Sequence, residues 1–224
     1  MGETMTLTAE DRHQLAAYRA MPGGTPRGGL VVAQEIFGVN SHIKQVCDGF
    51  AGDGYVALAP ALFDRVERGF AIGYGPEDIE RGRSVRGKID LNDMVKDVRA
   101  AVRALAVGGT KVGVVGYCLG GTLAWLAATR IDGIVCAVGY YGGGIADHAN
   151  EQPRCPVLLH FGETDQSIPP EHHARIKAAH PKLPIHIYPA AGHGFNCDMR
   201  ASYHAASASL ARQRTLDFLR AHIG

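Results

Sequence analysis

The segment from Lys111 to Gly121, KVGVVGYCLGG, constrains the fold more than any other stretch of the sequence. Its first half is apolar without alternation, which is typical of a strand buried on both faces. Gly116-Tyr117-Cys118-Leu119-Gly120 then has the G-x-nucleophile-x-G pattern of a sharp strand-to-helix turn. The glycines leave room for neighbouring backbone in so tight a turn. The segment therefore predicts a strand, a turn that exposes Cys118, and a helix.

The rest of the chain alternates short apolar runs with helical stretches, which indicates one α/β domain over residues 1–224 with a mainly parallel sheet and helices on both faces. Phe63–Tyr74 reads as irregular. In such sheets a ligand sits beyond the carboxyl ends of the strands. The predicted strands are 4–9, 14–20, 30–34, 55–59, 111–115, 134–138, 157–161 and 185–188, and the predicted helices are 41–51, 90–106, 119–129, 171–179 and 205–222.

Cys118 is predicted to be a nucleophile, because a helix N-terminus stabilises the reactive thiolate. A buried cysteine in a glycine-rich turn is the alternative. A nucleotide-binding loop does not fit, since the segment has neither GxGxxG nor GK[ST]. A nucleophilic cysteine needs a base and an acid that orients it. Asp165 in LHFGETDQSIP and His193 in AAGHGFN each follow a predicted strand, in the chain order nucleophile, acid, histidine.

The loop Gln34–Gly38 follows the first long buried strand, where this arrangement supplies one oxyanion-hole amide. The backbone N–H groups of Ile36 and Leu119 are the predicted pair. Glu35 is a carboxylate at the end of a buried strand, where ionisation costs free energy unless the charge is paired. A solvated strand-end residue is the alternative for Glu35.

Several motifs together resemble the dienelactone hydrolase (carboxymethylenebutenolidase) family. They are QEIFGVN at 34–40, GYCLGG at 116–121, GYYG at 139–142, the GETD segment ending at Asp165, AGHGF at 191–195 and RTLDFL at 214–219. The resemblance spans nearly the whole chain and implies an α/β-hydrolase fold. It also implies Cys118 as nucleophile, His193 as base, Asp165 as orienting acid, and Glu35 as a partner that helps the Cys118 thiol become thiolate.

The sequence departs from this family at one position that bears on the substrate. The resemblance implies an arginine four residues after the histidine, where it holds a substrate carboxylate, but this chain has Cys197 there. We therefore expect weaker binding of anionic lactones than of neutral esters. A second family arginine precedes the long helix, and Arg81 and Arg83 lie near that place as candidates for substrate binding or as solvated charges. Arg200 could also compensate.

Composition narrows the remaining function classes. The net charge of +1 favours neither nucleic acid nor an anionic membrane as a partner, and no apolar stretch is long enough to cross one. Five cysteines, an odd number without CxxC pairs or a signal peptide, predict a cytoplasmic protein without a structural zinc site. We expect a hydrolase that needs no cofactor or metal and acts on a small-molecule ester or lactone. A general carboxylesterase or thioesterase on the same residues is the first alternative, and a non-enzymatic thiol sensor is the second.

Overall fold

The computed structural model describes residues 2–224, which are organised around one eight-stranded sheet. The spatial order is β1-β2-β4-β3-β5-β6-β7-β8. β1 and β2 form an antiparallel hairpin, β2 pairs antiparallel with β4, and every other pairing is parallel. The predicted mainly parallel sheet is confirmed. The strands are β1 (Glu3–Thr8), β2 (Gln14–Ala20), β3 (Gly28–Ala33), β4 (Tyr55–Pro60), β5 (Val112–Tyr117), β6 (Ile134–Tyr140), β7 (Val157–Gly162) and β8 (Ile185–Tyr188).

Helices cover both faces of the sheet, as predicted. α3 and α4 pack against each other over the central strands on one face. α1 and α6 lie together on the other, where the guanidinium of Arg212 sits 4.7 Å from the ring centroid of Phe50. The helices are α1 (Ser41–Gly52), α2 (Pro76–Arg86), α3 (Leu91–Leu105), α4 (Leu119–Arg130), α5 (Pro170–Ala179) and α6 (Ala205–His222). No helix among residues 2–224 is long and apolar enough to cross a membrane.

Helix α2 was not predicted from the sequence. Its residues, PEDIERGRSVR, are mostly polar and bury only Gly82 and Val85, so they carry little helical periodicity. The start signals are local. Pro76 occupies the first turn, and the carboxylate of Asp78 accepts a hydrogen bond from the backbone N–H of Gly75 at 3.1 Å. A Cβ on Gly82 would lie 2.5 Å from the carbonyl oxygen of Ile36, so α2 packs directly on the loop after β3.

The parallel strands bring their carboxyl ends to one edge of the sheet. β3, β5 and β7 are buried along their whole length, and their residues are apolar or small except for His160. Each is followed at once by a loop or turn that holds a predicted site residue, and the loop after β8 holds His193. This edge is therefore where the fold gathers the candidate site. Met1, the first residue of the predicted domain, lies outside the described residues.

Candidate active site

The turn between β5 and α4 holds Cys118 in a strained backbone conformation. Cys118 has φ 55° and ψ −114°, a region that residues other than glycine rarely adopt. The backbone N–H of Cys118 donates to the carbonyl of Tyr140 at 3.0 Å, which ties the turn to the end of β6. A Cβ on Gly116 would lie 1.8 Å from the carbonyl oxygen of Gly120, and one on Gly120 would lie 2.1 Å from that of Ala33. The glycines thus permit the close backbone approach that the motif predicts.

Cys118, His193 and Asp165 form a continuous chain of side-chain contacts. Nε2 of His193 lies 3.1 Å from Sγ of Cys118, and its Nδ1 lies 2.7 Å from Oδ2 of Asp165. The other oxygen of Asp165 accepts from the backbone N–H of Ser167 at 2.8 Å, which fixes the carboxylate. Three loops that are distant in sequence therefore place a thiol, an imidazole and a carboxylate in the order that nucleophilic catalysis requires.

The electrostatics of the Cys118–His193–Asp165 contacts favour a charged imidazole. Burial alone would lower the pKa of His193. The negative charge of Cys118 and the hydrogen bonds to Asp165 and Cys118 outweigh burial and raise the pKa of His193 to about 10. The buried ring of Tyr141, which has a left-handed φ of 37°, packs edge-on against the imidazole with centroids 5.2 Å apart. A protonated His193 is thus held beside the sulfur.

Glu35 is fully buried at the end of β3, with both carboxylate oxygens engaged. Oε2 accepts a hydrogen bond from the Tyr74 hydroxyl at 3.2 Å, and Oε1 lies 3.4 Å from Nη1 of Arg200. The alternative of a solvated strand-end carboxylate does not fit this burial. Among residues 2–224, no hydrogen bond joins Glu35 to Cys118, whose thiol faces His193. The implied partnership of Glu35 with the thiol would require the Cys118 side chain to rotate, and it stays a prediction.

The two residues of the predicted oxyanion hole line the cavity that the catalytic turn borders. Ile36 and Leu119 both line it together with Cys118 and His193. Leu119 is the first residue of α4, so its N–H has no partner within the helix. Within residues 2–224, neither N–H donates a hydrogen bond to another backbone or side-chain group. Two free donors therefore lie at the mouth of the turn that carries the sulfur.

The cavity above Cys118 has a volume of about 490 Å³ and a mixed wall. Ile36, Phe37, Ile79 and Leu91 supply apolar surface, while Arg83, Arg86 and Arg200 supply positive charge. Asp147 is an acidic residue of the wall. A cavity of this size fits a small ligand, and three arginines suit a ligand that carries negative charge.

The structure separates the two arginines that the sequence put forward. Arg81 does not line the cavity; it pairs with Glu67 and lies over the ring of Phe70. Arg83 does line the cavity, but its side chain is 67% exposed and contacts Glu80 at 3.1 Å.

Arg200 is the better-buried cation, with a side chain 17% exposed. Its guanidinium packs against Gly194, where a Cβ would lie 2.4 Å from Nη1. Cys197 is fully buried and is not part of the cavity wall. Sequence reasoning missed Tyr74, Ile79 and Arg86. The polar helix α2 and the irregular segment before it carry them, and the capping signals of α2 were the one available clue.

The comparisons with known proteins agree over nearly the whole chain. The model of the dienelactone hydrolase family matches residues 15–223. The chain is 37% identical to the carboxymethylenebutenolidase of Pseudomonas putida, over 97% of this chain and 95% of that protein. A crystal structure assigned as a dienelactone hydrolase from Klebsiella pneumoniae superposes with a TM-score of 0.86 at 28% identity, covering 98% of this chain and 99% of that one. A dienelactone hydrolase-like phosphotriesterase from metagenomic libraries shares the fold, with a TM-score of 0.80 at 20% identity over 100% and 99% of the two chains.

Proposed function

The chain belongs to the dienelactone hydrolase family, and from that premise we propose that it opens a lactone or ester with Cys118 as nucleophile, His193 as base and Asp165 as orienting acid. The family has the α/β-hydrolase fold predicted from the sequence, and it makes the protein a hydrolase of ester or lactone bonds. The observation that carries the proposal is the contact chain from sulfur to imidazole to carboxylate, 3.1 and 2.7 Å long.

In the first half of the proposed reaction, the Cys118 sulfur attacks the carbonyl carbon of the substrate. The carbonyl oxygen becomes an oxyanion, which the N–H groups of Ile36 and Leu119 stabilise. Removing one such donor typically costs about 100- to 1000-fold in rate. When the tetrahedral adduct collapses, the C–O bond breaks and the leaving oxygen takes the proton from His193. In a lactone that oxygen stays tethered to the acyl group.

In the second half, His193 is neutral and accepts a proton from water as the water attacks the thioester. The carbon–sulfur bond breaks, the carboxylic acid product leaves and loses its proton to solvent, and the thiolate returns beside the imidazolium. Asp165 keeps Nδ1 protonated throughout, so Nε2 always faces the sulfur. We also propose a resting side-chain orientation in which the Cys118 thiol faces Glu35 and gives it the thiol proton. The thiolate then rotates to the imidazolium of His193, which is the arrangement that the structure shows. The place of Glu35 favours this role, because Glu35 is buried just after β3, the strand that pairs with β5 leading into the Cys118 turn.

We propose further that the substrate carries a carboxylate or similar anion near the scissile carbonyl. Arg200 supports this best, because it is largely buried and reaches the wall of the cavity that Cys118 lines. A planar guanidinium in such a place can hold a carboxylate by two parallel hydrogen bonds. Arg83 and Arg86 line the same cavity and add positive charge. We therefore assign to Arg200 the carboxylate-binding role that the family resemblance implies for an arginine at position 197.

The five cysteines are unpaired, which supports a reducing compartment such as the cytoplasm. A general esterase or thioesterase on the same residues would differ only in substrate range. A panel of anionic and neutral lactones, esters and thioesters separates these functions by kcat/KM.

The test of the catalytic cysteine is intact-protein mass spectrometry during turnover of an activated acetate ester. Wild-type protein should gain the mass of one acetyl group, and Cys118→Ala should neither gain it nor hydrolyse the ester. Cys155→Ala is the matched control, since Cys155 is also partly exposed but lies in a different groove. More than a few per cent of wild-type activity in Cys118→Ala would refute the assignment. A thiol sensor would show no ester turnover in any variant.

A further inference from the structure

Three side chains that can bind metals meet behind the catalytic turn. A carboxylate oxygen of Glu35, a ring nitrogen of His42 and the sulfur of Cys197 all lie within 4.8 Å of one another. All three residues are buried. Glu35 and His42 come from the first fifth of the sequence, whereas Cys197 follows the last strand, β8, so only the fold brings the three together. A carboxylate, an imidazole and a thiolate together are typical ligands of Zn²⁺.

His42 supplies an independent sign of a missing ligand. The residue is only 4% exposed, and its Nε2 is buried with no hydrogen-bond partner among residues 2–224. Its Nδ1 lies 3.4 Å from Oδ1 of Asp198. A carboxylate at that nitrogen favours the tautomer with the proton on Nδ1, which leaves the Nε2 lone pair free, as in many metal-binding histidines. A buried nitrogen without a partner is costly, and a bound ion would satisfy it.

A solvent-open cavity reaches one member of this cluster. His42 and Asp198 line a solvent-open cavity of about 420 Å³ between α1 and α6. The cavity above Cys118 has other lining residues, with neither His42 nor Asp198 among them. An ion entering between α1 and α6 would therefore meet His42 first, on the side of the cluster away from the substrate cavity.

We propose that Glu35, His42 and Cys197 form a site for Zn²⁺ or a similar transition-metal ion, reached through the cavity between α1 and α6. Zinc bonds of 2.0–2.3 Å place tetrahedral ligands about 3.5 Å apart, so the side chains need to approach by roughly 1 Å. Binding breaks the S–H bond of Cys197, and the proton leaves to solvent. The thiolate and the carboxylate then balance the two positive charges of the ion. The fourth position is open to water.

This site has a consequence for catalysis that rests on the function proposed above. A metal-bound Glu35 can no longer accept the thiol proton of Cys118, so occupancy should lower the rate of hydrolysis. Arg200 would at the same time lose its carboxylate partner to the ion. The site is thus an inhibitory one.

Co²⁺ is the probe for the site, because thiolate ligation to Co²⁺ gives a charge-transfer absorption in the near ultraviolet. The Cys118→Ala protein should be used, since Cys118 and His193 could bind metal themselves. We expect one equivalent of Co²⁺ to bind with this absorption, and Zn²⁺ to displace it. Adding Cys197→Ser should abolish the absorption, and adding His42→Gln should weaken binding at least tenfold. Adding Cys155→Ser, the matched control, should change neither property.

Absence of the thiolate band in Cys118→Ala, or its persistence after Cys197→Ser in a protein with unchanged thermal unfolding, would overturn the site. If Cys197→Ser fails to fold, the Co²⁺ affinity of His42→Gln tests the site instead, and an unchanged affinity would overturn it. In the activity assay, Zn²⁺ should inhibit wild-type protein at concentrations at least tenfold lower than it inhibits Cys197→Ser. Equal inhibition would refute the link to Glu35, whereas ester turnover by Cys118→Ala would refute the proposed function without altering the Co²⁺ result.

Discussion

Replacing Arg200 with glutamine should selectively impair hydrolysis of substrates that carry a carboxylate. The guanidinium is 17% exposed, lies 5.6 Å from the ring centroid of Phe37, and has Glu35 as its nearest anionic partner at 3.4 Å. Water therefore screens it poorly, and a bound carboxylate should gain a full charge-assisted contact. Such hydrogen bonds contribute about 1.5–3 kcal/mol, which corresponds to roughly 10- to 100-fold in kcat/KM.

Arg200→Gln also leaves Glu35 without its cation, so the rate on every substrate is expected to fall. The assay should therefore compare a lactone that bears a carboxylate with its neutral methyl ester and follow the ratio of their kcat/KM values. An effect through Glu35 or through stability cancels in that ratio, and only the contact with the carboxylate remains. We expect the ratio to fall roughly 10- to 100-fold.

Arg83→Gln is the matched control. Arg83 lines the same cavity, but its side chain is 67% exposed and paired with Glu80. An exposed charge of this kind is worth at most about 1 kcal/mol, so the ratio should change less than about fivefold. If Arg200→Gln lowers both substrates equally, or if Arg83→Gln has the larger effect, the assignment of Arg200 as the carboxylate-binding cation is wrong.

Three further perturbations test the rest of the site. Asp165→Asn should lower kcat by about a thousand- to ten-thousandfold with an unchanged fold by circular dichroism, because the imidazole takes the wrong tautomer; a fall of less than tenfold would exclude Asp165 as the orienting acid. Gly120→Ala should lower the free energy of unfolding in urea by about 3 kcal/mol, because the added Cβ would lie 2.1 Å from the backbone oxygen of Ala33. The control Gly52→Ala places its Cβ where no atom lies within 4 Å, so it should leave this free energy unchanged or raise it slightly. The pKa of His193 is raised to about 10, so the imidazole keeps its proton below that pH and loses it above. The value of kcat/KM should therefore fall above about pH 10 in the wild-type protein, and this fall should begin at a lower pH in Asp165→Asn. A wild-type fall that begins near pH 6.5 would contradict the ion pair between His193 and Cys118.

The sequence by itself determined the features whose physics is local. Alternating apolar runs and amphipathic stretches specify the strands and most helices, since side-chain burial on each element follows its own period. The glycines at 116 and 120 specify the tight turn at Cys118, because any larger residue there would overlap backbone atoms close in the turn. Cys118, Asp165 and His193 follow β5, β7 and β8 in that order, and this order was enough to predict their meeting, because parallel strands end at one edge of the sheet.

Only the tertiary structure decided what surrounds these residues. Helix α2 has a weak periodic signal, yet it places Ile79, Arg83 and Arg86 on the cavity wall. Arg200 faces the cavity and Cys197 faces Glu35 and His42, although the two residues are only three apart in the chain. Which side chain enters a site from an irregular loop depends on how distant segments pack against it, and no local period encodes that packing.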